Sequence, residues 1–169
     1  MERSVNNFSD KEESIDHINS DEEDVLSFPS IEFIPDEDTT RSVAEQNGFE
    51  FLAYDAVCVG TDHRFAEFTF FTAAIMKAYT SGNGREDFSI RLEGDPDNAY
   101  DKFAIKVIGS YSDDEIEHNN HIGYIPRKLA YKIGMNWGTD APPLYALFHS
   151  LMLKSSGFEL RFSILLGNE

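Results

Sequence analysis

The chain has 169 residues, 41% apolar and 13% aromatic, which suits one ordinary domain with an appendage and excludes a wholly disordered polypeptide. The single cysteine, Cys58, excludes an internal disulfide, and the lack of a basic-then-apolar leader or an 18-residue apolar run argues for a soluble cytoplasmic protein with no membrane partner. Its 31 acids and 14 bases give a net charge of -17, and residues 1–48 hold 14 of those acids against Arg3, Lys11 and Arg41.

Residues 1–42 show no sustained period and are rich in Ser, Asn, Asp and Glu, so residues 1–48 are expected to form an acidic, largely disordered tail. One apolar cluster, Val25 to Ile34, lies between Asp21-Glu22-Glu23-Asp24 and Asp36-Glu37-Asp38. Such a mixture either stays solvated, docks on a partner protein through those acids, or folds back on its own domain.

From Gly48 the texture changes, and residues 49–169 are expected to form the folded domain. Phe49, Phe51 and Ala53, then Val57 and Val59, alternate and predict a strand ending at Gly60. Phe65, Phe68, Phe71, Thr72, Ile75, Met76 and Tyr79 recur at helical spacing and predict a helix over 65–80, stopped by Ser81-Gly82-Asn83-Gly84. Phe88, Ile90 and Leu92 predict a second strand running into the turn Gly94-Asp95-Pro96-Asp97-Asn98, and Phe103 to Ile108 a third. Ser110 to Asn120 reads as a polar acidic loop, and His121 to Ile125 as a short strand stopped by Pro126. Arg127 to Ile133 reads as a brief helix, Pro142-Pro143 as the start of another running to about Lys154, and Phe158 to Leu166 as an alternating strand. Five or so strands with three helices predict an α+β fold, a small barrel or curled sheet rather than a parallel βαβ layer.

Catalytic patterns are missing or broken. There is no phosphate-cradling G-x-x-x-x-G-K-[ST] and no G-x-S-x-G elbow. Asp95, Asp97 and Asp101 begin like a calcium loop, but Tyr100 and Lys106 occupy the places of the required Gly and Glu. His118 and His121 have no cysteine partners or helix to fix them as metal ligands, and Cys58 sits on an apolar strand where an inert thiol is expected. The expectation is a non-enzyme without cofactor or metal.

What remains is Glu93-Gly94-Asp95-Pro96-Asp97-Asn98-Ala99-Tyr100-Asp101-Lys102-Phe103-Ala104-Ile105-Lys106-Val107, followed after a polar stretch by Ile122-Gly123-Tyr124-Ile125-Pro126-Arg127-Lys128-Leu129-Ala130. In order and spacing these two blocks resemble the HIRAN domain, whose pattern is E-x-D/N-P-x-N-x-Y-D-x-x-A-I-x-V and then I-G-Y-I/L-P-x-x-x-A. The resemblance implies an OB-like barrel and a module that captures DNA, single-stranded or at a free 3′ end. It implies a nucleic-acid site at Tyr100 and Asp101, with Arg127 on a phosphate and His63, Arg64 and Phe65 on the far side. The physics of the turn agrees: an aromatic face stacks a base and a neighbouring carboxylate accepts a sugar hydroxyl, while Lys102 and Lys128 add local positive charge. The same Tyr100-Asp101 pair would also serve a turn that merely staples two strands. A second functional reading is an acidic, phage-type effector that mimics DNA with its tail and its 113–117 acids and inhibits a host nucleic-acid enzyme such as RNA polymerase.

Overall fold

The structure is a computed structural model that describes residues 31–32, 36–138 and 143–167. The expected acids Asp21, Glu22, Glu23 and Asp24 lie outside the described residues. Among the described residues seven strands and three α-helices give an α+β fold. The helix α2 (Phe65–Ser81) buries Phe68, Phe71, Thr72, Ile75 and Ala78 along one stripe and ends at the left-handed Gly82. The strand β3 (Phe88–Gly94) buries Phe88, Ile90 and Leu92 and exposes the residues between, as a pleated strand with one face on a core requires.

The sheet runs β2 (Phe49–Val57), β7 (Gly157–Gly167), β6 (Leu144–Lys154), β3, β4 (Ile105–Asp113) and β5 (Ile116–Tyr124), with β1 (Ile31–Glu32) beside β6. All pairings are antiparallel. One core joins α2, the sheet and α3 (Arg127–Trp137), with Phe71, Val107, Ile122, Leu160, Phe162 and Ile164 fully enclosed. Gly109 of β4 is needed for this packing, because a Cβ there would stand 2.6 Å from the Phe71 ring.

The sheet curls without closing into a barrel. Edge strands β2 and β5 share no ladder; their only rung lies past the end of β2, where Val59 and Tyr124 exchange two backbone hydrogen bonds of 2.8 Å. Gly123 makes that approach possible, since a Cβ on it would lie 2.6 Å from the Val59 carbonyl oxygen and 2.7 Å from Cys58 Sγ.

Three elements differ from expectation. Leu144–Lys154 is the strand β6, not a helix after Pro142-Pro143; it pairs with β7 along its length and with β3 and β1 on its other edge. The expected acidic loop over 110–120 is the hairpin of β4 and β5, whose tight turn puts Asp114 and Glu115 at positive φ. Within the segment read as tail, Glu37–Gln46 forms the helix α1, which packs on β2 with Thr40 and Ala44 buried. Asp36 caps it, accepting from the Thr39 amide at 2.8 Å and its hydroxyl at 2.7 Å.

A polar strip that runs from half-buried Asp55 and Arg161 to enclosed His149 and Ser163 ties β2, β6 and β7. Arg161 Nη1 donates to Asp55 Oδ2 at 2.6 Å, His149 Nδ1 stands 3.5 Å from Asp55 Oδ1, and His149 Nε2 shares a 2.9 Å hydrogen bond with Ser163 Oγ. Both His149 and Ser163 are fully enclosed.

Candidate nucleic-acid interface

The turn between β3 and β4 is built from its own side chains. Backbone bonds from Asp95 N to the Ala104 carbonyl (2.7 Å) and from Ala104 N to the Asp101 carbonyl (2.9 Å) fix its neck. Inside it, Asn98 Oδ1 accepts from the amides of Tyr100 (3.0 Å) and Asp101 (3.1 Å), and Asp101 Oδ1 accepts from the Phe103 amide (3.0 Å). These Asx bonds hold the backbone so that the Tyr100 ring projects into solvent, 92% exposed.

Asp95 anchors the turn to the rest of the fold. Its carboxylate accepts from Lys106 Nζ at 2.9 Å, Tyr124 Oη at 3.0 Å and Asn98 Nδ2 at 3.1 Å. Burial alone would raise this carboxyl, but the bonds from Lys106, Asn98 and Tyr124 outweigh it and hold the group below its ordinary value. The motif tyrosine Tyr124 is thereby locked against the turn, with His121 edge-on to its ring at 4.7 Å.

Tyr100, Asp101 and Arg127 come together around a shallow depression of about 250 Å³, floored by Val59, Tyr124 and Ile125. Arg127 Nε stands 3.4 Å from Asp101 Oδ2, with the arginine side chain 80% exposed and the aspartate 18%. An ion pair this exposed contributes little, so the guanidinium can be drawn to a stronger anion at small cost. Arg127 also opens α3, whose cap residue Pro126 supplies no side-chain bond, so the positive end of the helix faces the same region.

The other expected residues are placed differently. Lys128 is exposed on α3, and Lys102 stacks its ammonium 4.8 Å over the Phe103 ring on the wall of a neighbouring cavity. His63 and Arg64 lie in a 3₁₀ turn over Thr61–Arg64 and Phe65 at the start of α2; none of the three lines the depression. Their turn packs on β5, where burial first, and then the Arg64 charge, lowers the His121 pKa. Of the described acids, Asp36 caps α1, Glu37 pairs with Arg41 at 2.9 Å, and Asp38 belongs to the first turn of α1. Cys58 is buried, and that burial pushes its thiol up to about 12. No cluster of three or more metal-ligating side chains occurs among the described residues, and no described helix is long and apolar enough to cross a membrane.

Four residues of the site went unremarked as such in the sequence: Val59, Asp95, Asn98 and Tyr124. The Asp95 to Asn98 spacing is an Asx-turn signal, and Tyr124 belongs to the second motif; Val59 carries no signal, because only the bridge to β5 brings it there. Against protein-family models, residues 68–138 match the HIRAN domain. No curated protein and no solved structure matches the chain.

Proposed function

From the match of residues 68–138 to the HIRAN domain, we propose that the chain is a non-enzymatic nucleic-acid-binding module that takes single-stranded DNA, strand end first, into the Tyr100 depression. The observation that carries this reading is the exposed Tyr100 ring beside Asp101 and a weakly held Arg127. The ring offers a π-face to a terminal base, which by stacking alone is worth roughly 1–3 kcal/mol. Asp101 Oδ2 accepts a hydrogen bond from the terminal sugar hydroxyl, and Arg127 exchanges its long contact with Asp101 for a phosphate. The locked Asn98, Asp95 and Tyr124 framework means that the loop need not be ordered at the moment of binding. The acidic N-terminal segment competes with DNA for the same cations and so regulates the module, an effect that weakens as salt rises.

Fluorescence anisotropy of labelled single-stranded DNA ending in a 3′-hydroxyl or a 3′-phosphate, at two salt concentrations, tests the reading. Tighter binding of the hydroxyl end, lost in Tyr100→Ala with Asp101→Ala while the fold persists, is the expected result. Equal binding of both ends would overturn the end-capture assignment. No binding at either salt would overturn the module itself and turn attention to the acidic surface as a mimic of DNA.

A further inference from the structure

The exposed face of α3 differs from the rest of the surface. Most described cations elsewhere are matched with acids, Arg64 and Lys154 excepted: Arg41 with Glu37, Lys77 with Asp113, Arg91 with Glu93, Lys106 with Asp95, and Arg161 with Asp55 and Glu159. The helix α3 reads RKLAYKIGMNW, with three cations and no acid, in a chain where acids outnumber bases 31 to 14. Among the described residues Lys128 and Lys132 have no carboxylate partner, and Lys102 leans over Phe103 beside them without one.

Helical spacing organises this face. Lys128 and Lys132 are four apart and lie one above the other, about 6 Å along the axis, a rise of nearly two stacked nucleotides at about 3.4 Å per strand. Beside that column Tyr131 and Met135 form a second, also exposed, and the Tyr131 ring is held edge-on by Phe103 at 5.8 Å. The helix begins at Arg127, on the rim of the depression, and α3 docks closely because Gly134 lies under the Phe103 ring, where a Cβ would be 2.2 Å from a ring carbon. An aromatic held by an aromatic, beside two unmatched ammonium groups, is the pairing that stacks bases and follows a phosphate backbone.

We propose that the exposed face of α3 is a second subsite, a track on which the strand leaving the Tyr100 depression stacks a base on Tyr131 and lays its phosphates along Lys128 and Lys132. This rests on the reading of the depression as the seat of the strand end. It assigns the module a footprint of several nucleotides rather than the terminal one or two.

The test compares thymidine oligonucleotides of two and six residues, labelled at the 5′ end, on the full chain and on Tyr131→Ala with Lys132→Ala. Both substitutions are on exposed side chains, and far-ultraviolet circular dichroism checks the fold. The six-residue strand should bind wild type at least about tenfold more tightly than the two-residue strand, from one added stack and its phosphates. The variant should lose that gain, keep the two-residue affinity, and show a salt dependence shallower by roughly 0.7 for the lost lysine. A length gain that survives in the variant overturns the track while leaving the end-binding reading intact. So does a wild type with no length gain, which would place another occupant, such as the chain's own acidic residues, on α3. If neither oligonucleotide binds wild type, the end-binding reading falls and takes the track with it.

Discussion

Replacing Gly123 with alanine places a methyl group 2.6 Å from the Val59 carbonyl oxygen and 2.7 Å from Cys58 Sγ, two atoms that cannot swing away. One is main chain; the other belongs to an enclosed side chain. Ordinary contact at about 3.4 Å demands that β5 and the chain after β2 separate by most of an ångström, and the Val59–Tyr124 rung, at 2.8 Å in both directions, does not survive that. Overpacking of about 1–2 kcal/mol and two neutral hydrogen bonds at about 1 kcal/mol each make the expected loss roughly 3 kcal/mol. For a chain of this length that is a fall in Tm of roughly 6–12 °C. Urea unfolding followed by tyrosine and tryptophan fluorescence measures it, with Gly94→Ala as the control, because a Cβ at Gly94 meets nothing within 4 Å. DNA affinity should fall with stability, since the rung also positions Tyr124 beneath the depression. A Gly123→Ala protein within 0.5 kcal/mol of wild type would refute the claim that this rung joins the sheet's two edges.

Asn98→Ala leaves the amides of Tyr100 and Asp101 without their acceptor; it should cost about 2 kcal/mol in denaturant unfolding and weaken strand-end binding, and Asn98→Asp should not restore it because a second carboxylate then faces Asp95. Asp95 has a depressed folded pKa, so its contribution is present above the unfolded value of about 3.9 and is lost as pH falls through the folded one. Stability of Asp95→Asn should therefore be lower near neutrality and less dependent on pH in the acid limb, and an unchanged acid limb would contradict the assignment. The Cys58 thiol should resist alkylation at pH 8.5 in the native protein and react once it unfolds, as the rate of iodoacetamide labelling will show.

The elements legible in the sequence were those with one dry face. The helix α2 and the strands β3 and β7 show their periods because each has a wet side or a regular alternation. The strand β6 did not, because it lies between β7 and β3 with buried residues in succession from Phe148 to Leu151, and a mostly apolar stretch after a proline pair, with no alternation of wet and dry positions, looks the same for a buried strand and a helix. The hairpin of β4 and β5 was hidden for the opposite reason: its outer end is polar on both faces, and its turn uses Asp114 and Glu115 at positive φ where glycine or asparagine would have announced it. The helix α1 buries only Thr40 and Ala44, too little to set a period, although Asp36 followed by Glu37 and Asp38 is a legible N-terminal signal. In the site, Tyr100, Asp101 and Arg127 were readable because motif and turn chemistry coincide. His63, Arg64 and Phe65 were not placeable, because the direction of the chain after Gly60 is set by the cross-sheet rung, a contact across more than sixty residues that no local pattern encodes.

The order of the strands also dictates when this protein can fold. Among the described residues β2 is paired along its length only with β7, the last of the described strands in chain order, and β7 brings Leu160, Phe162 and Ile164 into the core. On a ribosome adding roughly 5–20 residues per second, β2 waits several seconds with its apolar face unmatched. Such non-local pairing makes for high contact order and slow folding. The family-matched stretch 68–138 contains only β3, β4 and β5 of the sheet, so a fragment cut at those bounds would retain the depression's motif residues but lose the strands that complete the core beneath α2. Dissecting this protein into a smaller folded unit therefore means keeping β2 and β7 together with the motif, not trimming to the motif alone.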